Sequence, residues 1–213
     1  DFYDAEEWAF HYMANVFNHK ATKDDFLTFK KINHQHWEAF QQNKLTKSEV
    51  LSERFVNYFK HHQMEVDGHR ADVLFRNGLA EAKVKYFDQT LETIVELSKR
   101  HDLYIVTNGV TETQKRRLNQ TPLHKYIKKI FISEETGYQK PNPEFFNYVF
   151  NDIGEDERQH SIIVGDSLTS DILGGINAGI ATCWFNFRGF DHNPGIIPDY
   201  EINSWKQLND IVR

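Results

Sequence analysis

Three short polar clusters carry the chemistry legible in this chain. They are Thr107-Asn108-Gly109, Lys140-Pro141-Asn142-Pro143 and Gly165-Asp166-Ser167, the last followed by Asp171. Together they suit phosphoryl transfer, in which the equatorial oxygens of the moving group must be held by donors and cations. Thr107 can offer its hydroxyl, and Asn108 and Gly109 their backbone N–H groups. Lys140 can offer a fixed positive charge. Asp166 can hold Mg²⁺, a hard cation that favours carboxylate oxygen and water. Asp171, one helical turn further on, can support the metal shell. The set lacks a nucleophile, for which an aspartate forming an aspartyl-phosphate is the natural choice. Singly, each cluster also has a plain structural reading: a turn, a helix start with proline in its first turn, and an N-cap. Their order along the chain, each cluster placed after a strand, is what favours chemistry.

The elements around the clusters explain why they would meet. From about residue 86, short apolar runs alternate with helical stretches. Residues 88–99 read as an amphipathic helix and Leu103–Val106 as a buried strand. Glu112–Leu118 is helical, and Ile130–Ile132 is a second strand, with Ser133-Glu134-Glu135 after it. A helix starts at Pro143, a strand covers Ser161–Val164, a helix Leu168–Ala178 and a strand Ala181–Phe185. A loop over 187–199, a strand near Glu201 and a helix from Trp205 to Val212 close the chain. Strands alternating with helices predict parallel βαβ units and an open, doubly wound, Rossmann-type α/β sheet. Ligands bind such sheets beyond the carboxyl ends of the strands, where the three clusters fall. Residues 1–85 read differently. Aromatics recur at helical spacing (Phe26 and Phe29, Trp37 and Phe40, Phe55, Tyr58 and Phe59) with no strand-like run, which predicts a small helical bundle. Thr46-Lys47-Ser48-Glu49 is a capping box, and Asp67-Gly68 is expected to end the helix that follows it.

Composition narrows the function classes. The 213 residues are 39% hydrophobic and 14% aromatic, enough to form a core rather than bulk disorder. Mean hydropathy is −0.64 and no apolar run approaches the roughly 18 residues that span a bilayer. No signal peptide is visible at the start, so a cytoplasmic protein is expected. The net charge of −6 disfavours binding to nucleic-acid polymers. One cysteine, Cys183, precludes an intrachain disulfide and a CxxC metal site and is expected in the core. His34 and His36 do not share a helix face, and adjacent His61 and His62 suit a solvated one, so no histidine metal site is expected. Tyr138 and Arg188 are weaker candidates for substrate contact. The Gly174-Gly175 pair suits close helix packing.

The pieces Ile105–Gly109, Glu134–Pro141 and Val164–Asp171 resemble the haloacid dehalogenase superfamily of phosphohydrolases, and the resemblance covers essentially the whole chain. Ile172–Gly179, running into Ala181–Trp184, is most similar to the subgroup of 5′-nucleotidases that act on pyrimidine and noncanonical nucleoside monophosphates. The resemblance implies a helical cap over residues 1–85 and an α/β core over 86–213. It implies that Thr107 binds the phosphoryl oxygen and that Lys140 balances negative charge. Asp166 would be a direct Mg²⁺ ligand, and Asp171 would orient metal waters or the lysine. A small phosphate monoester would be the substrate, handled by a monomer or homodimer, with the cap excluding water. The family's first motif, a strand followed by Asp-x-Asp-x-Thr, is absent, since Asp1-Phe2-Tyr3-Asp4 has the wrong spacing. The expectation is therefore one more central strand, bearing the nucleophilic aspartate, upstream of residue 1. The rival readings are a sugar-phosphate or phosphoglycolate phosphatase or mutase, and a noncatalytic binding protein on the same fold.

Overall fold

Aromatic side chains spaced three and four residues apart fold the first part of the chain into helices that bury them together. In the computed structural model, which describes residues 2–212, two units form. The first comprises Asp1–Lys85 with Thr113–Gln120, and the second Tyr86–Glu112 with Thr121–Arg213.

The first unit holds helices α1 (Tyr3–Val16), α2 (Lys23–Gln41), α3 (Lys47–His61) and α4 (Gly68–Glu81). Reciprocal capping boxes open α2 at Thr22 and Asp25 and α3 at Thr46 and Glu49. Each satisfies amide donors that would otherwise lack partners. Asp67 accepts from the amides of His69 and Arg70, so Asp67-Gly68 opens α4 instead of ending α3. The reason is local: an aspartate side chain reaches the first amides after it, which is N-cap geometry. Most of the expected aromatics form one core, whereas Trp37 is only half-buried and, with Phe40, lies outside that cluster. Phe10, Phe29, Phe55, Tyr58 and Phe59 are fully buried, with Phe10 and Phe29 stacked at 5.0 Å and Phe29 and Phe55 at 5.3 Å. Each such ring contributes roughly 1.5–3 kcal/mol of transfer free energy. At Gly78 a Cβ would stand 2.9 Å from the Cα of Ala9, so glycine lets α4 approach α1 closely.

The second unit alternates helix and strand. Its order is α5 (Thr90–Leu97), β1 (Tyr104–Thr107), α6 (Thr111–Asn119), β2 (Lys129–Ile132), α7 (Ser133–Thr136), α8 (Pro143–Ile153) and β3 (Ile162–Gly165). One π turn (Leu168–Ile172) then leads into α9 (Leu173–Ala178), β4 (Ala181–Phe185), β5 (Tyr200–Ile202) and α10 (Leu208–Ile211). From Thr113 on, α6 belongs to the first unit, although the sequence places it with the strands. All strand pairs are parallel, in the ladders β1-β2 and β3-β4-β5, as the α/β reading predicts. Between the ladders, β1 and β3 line a cavity of about 710 Å³, with Tyr104, Ile105 and Val106 on one side and Ile162, Ile163 and Val164 on the other. Phe131, Phe145, Phe146, Val149 and Phe150 form one buried cluster. Cys183, Phe185, Ile202 and Leu208 form another, and burial pushes the Cys183 thiol up to about 11. At Gly175 an added Cβ would meet Ile163 and Thr182 side chains at 2.5 and 2.7 Å, which is the close packing expected of the glycine pair.

Candidate active site

The strand ends bring the three clusters together within the second unit. Thr107 is the last residue of β1 and Gly165 the last of β3. The loop between α7 and α8 supplies Lys140. Asn108 joins the first two clusters through its side-chain amide. Its Nδ2 donates to the Lys140 carbonyl at 2.8 Å, and its Oδ1 accepts from the Lys140 amide at 2.9 Å. This pair of bonds fixes the loop's backbone beside β1.

The Lys140 side chain is buried. Its Nζ donates to Asp171 Oδ1 at 2.5 Å and to the Val106 carbonyl at 2.9 Å, leaving a third ammonium hydrogen for a ligand. Asp171 Oδ2 accepts from the Ser167 amide at 3.1 Å. Both carboxylate oxygens are thereby engaged, and of the two roles the sequence allowed Asp171, holding the lysine is the one its geometry serves. The approach is possible because residue 165 is glycine: a Cβ there would lie 2.3 Å from the Asp171 carboxylate. The π turn over Leu168–Ile172 carries Asp171 back toward β3, with Ser167 capping the Ser170 amide.

Asp166 is exposed, yet the protein mass around it removes enough water to raise its carboxyl pKa. Asp171 adds to the rise, while Lys140 and Arg188 oppose it. Its backbone is held by Trp184, whose indole N–H donates to the Asp166 carbonyl at 3.0 Å. The indole is a contact that sequence reasoning did not single out. The only signal was its place on a strand next to the one ending at Gly165. An accessible carboxylate under like-charge stress is a hard-oxygen ligand that a divalent cation would relieve, so the residues fit Mg²⁺. Thr107 Oγ1 accepts from the Gly109 amide at 3.1 Å, so its O–H hydrogen points to other acceptors. The Gly109 N–H expected to face a phosphoryl group is turned onto that hydroxyl, because the turn after β1 closes over two residues. Tyr138 is exposed in the Lys140 loop, and Arg188 enters the site through its effect on Asp166.

The chain matches the haloacid dehalogenase-like hydrolase family over residues 4–185. It is 41% identical to the HAD-hydrolase YfnB of Bacillus subtilis, over all of this chain and 90% of that protein. The pyrimidine 5′-nucleotidase YjjG of Escherichia coli is 30% identical over 99% of this chain and 96% of its own length. The pyrimidine 5′-nucleotidase PynA of Streptococcus pneumoniae is 32% identical over 91% of this chain and 80% of its own length. The crystal structure of YfnB bound to magnesium superposes with a TM-score of 0.94, covering all of this chain and 93% of that one. The strand-end geometry and these likenesses agree, and the chain belongs to the haloacid dehalogenase-like hydrolases, an enzyme built on their parallel α/β core and helical cap.

Proposed function

We propose that this hydrolase is a Mg²⁺-dependent phosphomonoesterase that removes the 5′-phosphate from pyrimidine or noncanonical nucleoside monophosphates. The observation that carries the reading is the buried Lys140 ammonium. It is held between Asp171 and the end of β1, with one hydrogen left for a phosphoryl oxygen. The choice of nucleotide over sugar phosphate is supported by likeness to two pyrimidine 5′-nucleotidases along most of both chains.

Each residue has a role in that reaction. The Thr107 hydroxyl donates to one phosphoryl oxygen, its own oxygen being oriented by the Gly109 amide. Lys140 balances the charge that builds up on phosphate and nucleophile, and its pairing with Asp171 keeps it from swinging away. Such preorganised charge needs no reorientation when the transition state forms. Asn108 holds the lysine's backbone in register with β1. Asp166 would hold Mg²⁺, which when bound supplies positive charge to the phosphoryl oxygens. The nucleophile, on this reading, is an aspartate that forms an aspartyl-phosphate. Attack on phosphorus would expel the nucleoside's 5′-oxygen, and water would then hydrolyse the aspartyl-phosphate.

Phosphate release from dUMP, dTMP and UMP, beside sugar phosphates, tests the proposal. It should be measured on the natural polypeptide, with Mg²⁺ and with EDTA. The expected result is release from the pyrimidine nucleotides that EDTA abolishes. Release confined to sugar phosphates would keep the chemistry and overturn the substrate. No release from any of them would favour a binding protein.

A further inference from the structure

Away from the strand ends, three side chains in the helical unit converge from three separate segments. His19 lies in the turn between α1 and α2, Asp25 in the first turn of α2, and His62 at the C-cap of α3. All three are half-buried, and one ligand atom from each lies within 4.8 Å of the others. The His62 Nε2 is 3.3 Å from Asp25 Oδ1, and the His19 and His62 rings are 4.5 Å apart. We propose that His19, Asp25 and His62 form a binding site for a first-row divalent transition metal, with zinc the best fit, separate from the carboxylate site at the strand ends.

The surroundings of each ligand support this. Asp25 is oriented through its other oxygen, Oδ2, which accepts from both the Thr22 amide and the Thr22 hydroxyl at 2.7 Å. Oδ1 therefore faces His62. His19 Nε2 is 2.8 Å from the Tyr58 hydroxyl. A ring that donates its Nε2–H to that oxygen presents Nδ1 as its lone pair. Metal-binding histidines commonly have this kind of outer partner, which fixes tautomer and ring plane. Two imidazoles and one carboxylate suit zinc better than magnesium, which prefers oxygen and water. Tetrahedral zinc with bonds of about 2.0–2.2 Å puts ligand atoms about 3.3–3.6 Å apart. Closing the observed spread of at most 4.8 Å therefore takes up to about 1.5 Å, within reach of side-chain rotation. The fourth position would hold water. A metal here would tie the turn after α1 to the ends of α2 and α3.

The test is zinc titration of the metal-free full chain by calorimetry in a large excess of Mg²⁺, which occupies oxygen sites. The expected result is one zinc ion per chain. His19→Gln and His62→Gln should each weaken binding by at least about tenfold, and Tyr58→Phe by roughly 10–100-fold. His34→Gln should leave it unchanged. Histidine-ring NMR of the unmutated chain gives a second readout that needs no variant, because zinc should shift the His19 and His62 resonances selectively. No zinc binding, binding unaffected by both histidine variants, or ring shifts confined to other histidines would each overturn the proposal.

Discussion

Lys140 is a buried cation whose nearest anion is Asp171, and this pairing makes it both a catalytic candidate and a structural liability. Breaking a buried pair from one side leaves an uncompensated charge and costs roughly 3–5 kcal/mol. Lys140→Met should therefore lower the denaturant midpoint as well as phosphate release. The double variant Lys140→Met/Asp171→Leu should recover much of the stability but none of the activity. The loss of rate expected for removing one preorganised donor is about 10²–10³-fold. Chemical denaturation and phosphate-release assays on the three proteins separate the two effects. If the double variant regained activity, the lysine's role would be structural alone. Arg54 shows the same principle without chemistry. Its buried guanidinium is shared between Asn33 at 2.8 Å and Asp72 at 2.7 Å, and Arg76 closes on the other Asp72 oxygen at 2.6 Å. Asp72 and Arg76 are an i,i+4 pair within α4, but Asn33 and Arg54 reach them from α2 and α3, which no local pattern announces.

At the scale of elements, the helix starts are the most local features and were the most legible. Thr46 and Glu49 satisfy each other across a single turn, and the spacing alone announces it. The Thr46 amide and hydroxyl hold the Glu49 carboxyl below its usual range. A depressed carboxyl stabilises the fold above its ordinary pKa, near 4.5, and this contribution is lost as pH falls through the folded value. Glu49→Gln should therefore lower the melting temperature at pH 7 and match the parent near pH 3. Thr46→Ala removes a cap worth about 1 kcal/mol, or about 2–4 °C in a chain of this size. Melting curves at the two pH values check both. A Glu49→Gln deficit that persisted at pH 3 would show that the carboxylate's charge is not what matters. Asp67-Gly68 illustrates the limit of such reading. The pair can end one helix or open the next, and only the hydrogen bonds to His69 and Arg70 decide.

At the scale of the molecule, α6 is the element whose membership the sequence misplaced. Its register in the chain lies between two strands, yet residues Thr113–Gln120 pack with the helical unit. Arg117 donates to the Leu79 carbonyl at 2.6 Å, Arg116 to Asn77 at 3.2 Å, and Gln120 to the Ala80 carbonyl. Arg117 also stands 5.1 Å from the Phe2 ring. A fragment of residues 1–85 should thus be less stable than one with 113–120 joined to it by a flexible linker. The expected difference is about 1.5–3 kcal/mol, the range for a charged hydrogen bond. Equal denaturant midpoints for the two fragments would refute this. No helix among the described residues is long and apolar enough to cross a membrane, in keeping with the low hydropathy.

The sequence by itself determined the helical first part, the βαβ alternation, the Thr46–Glu49 cap and the place of Thr107, Asn108 and Asp166 at the ends of strands. The physical reason is that periodicity, capping and the ligand position of parallel sheets all act over a turn or one element. The tertiary structure decided what depends on contacts between distant segments. It turned Asp171 onto Lys140 and used Gly165 to admit that carboxylate. It also brought His19 and His62 together across 43 positions of sequence, although adjacency to His61 had set His62 on a solvated face. Side chains that meet only through packing leave no spacing rule in the chain, because the turn geometry and core volume that join them are set by residues elsewhere.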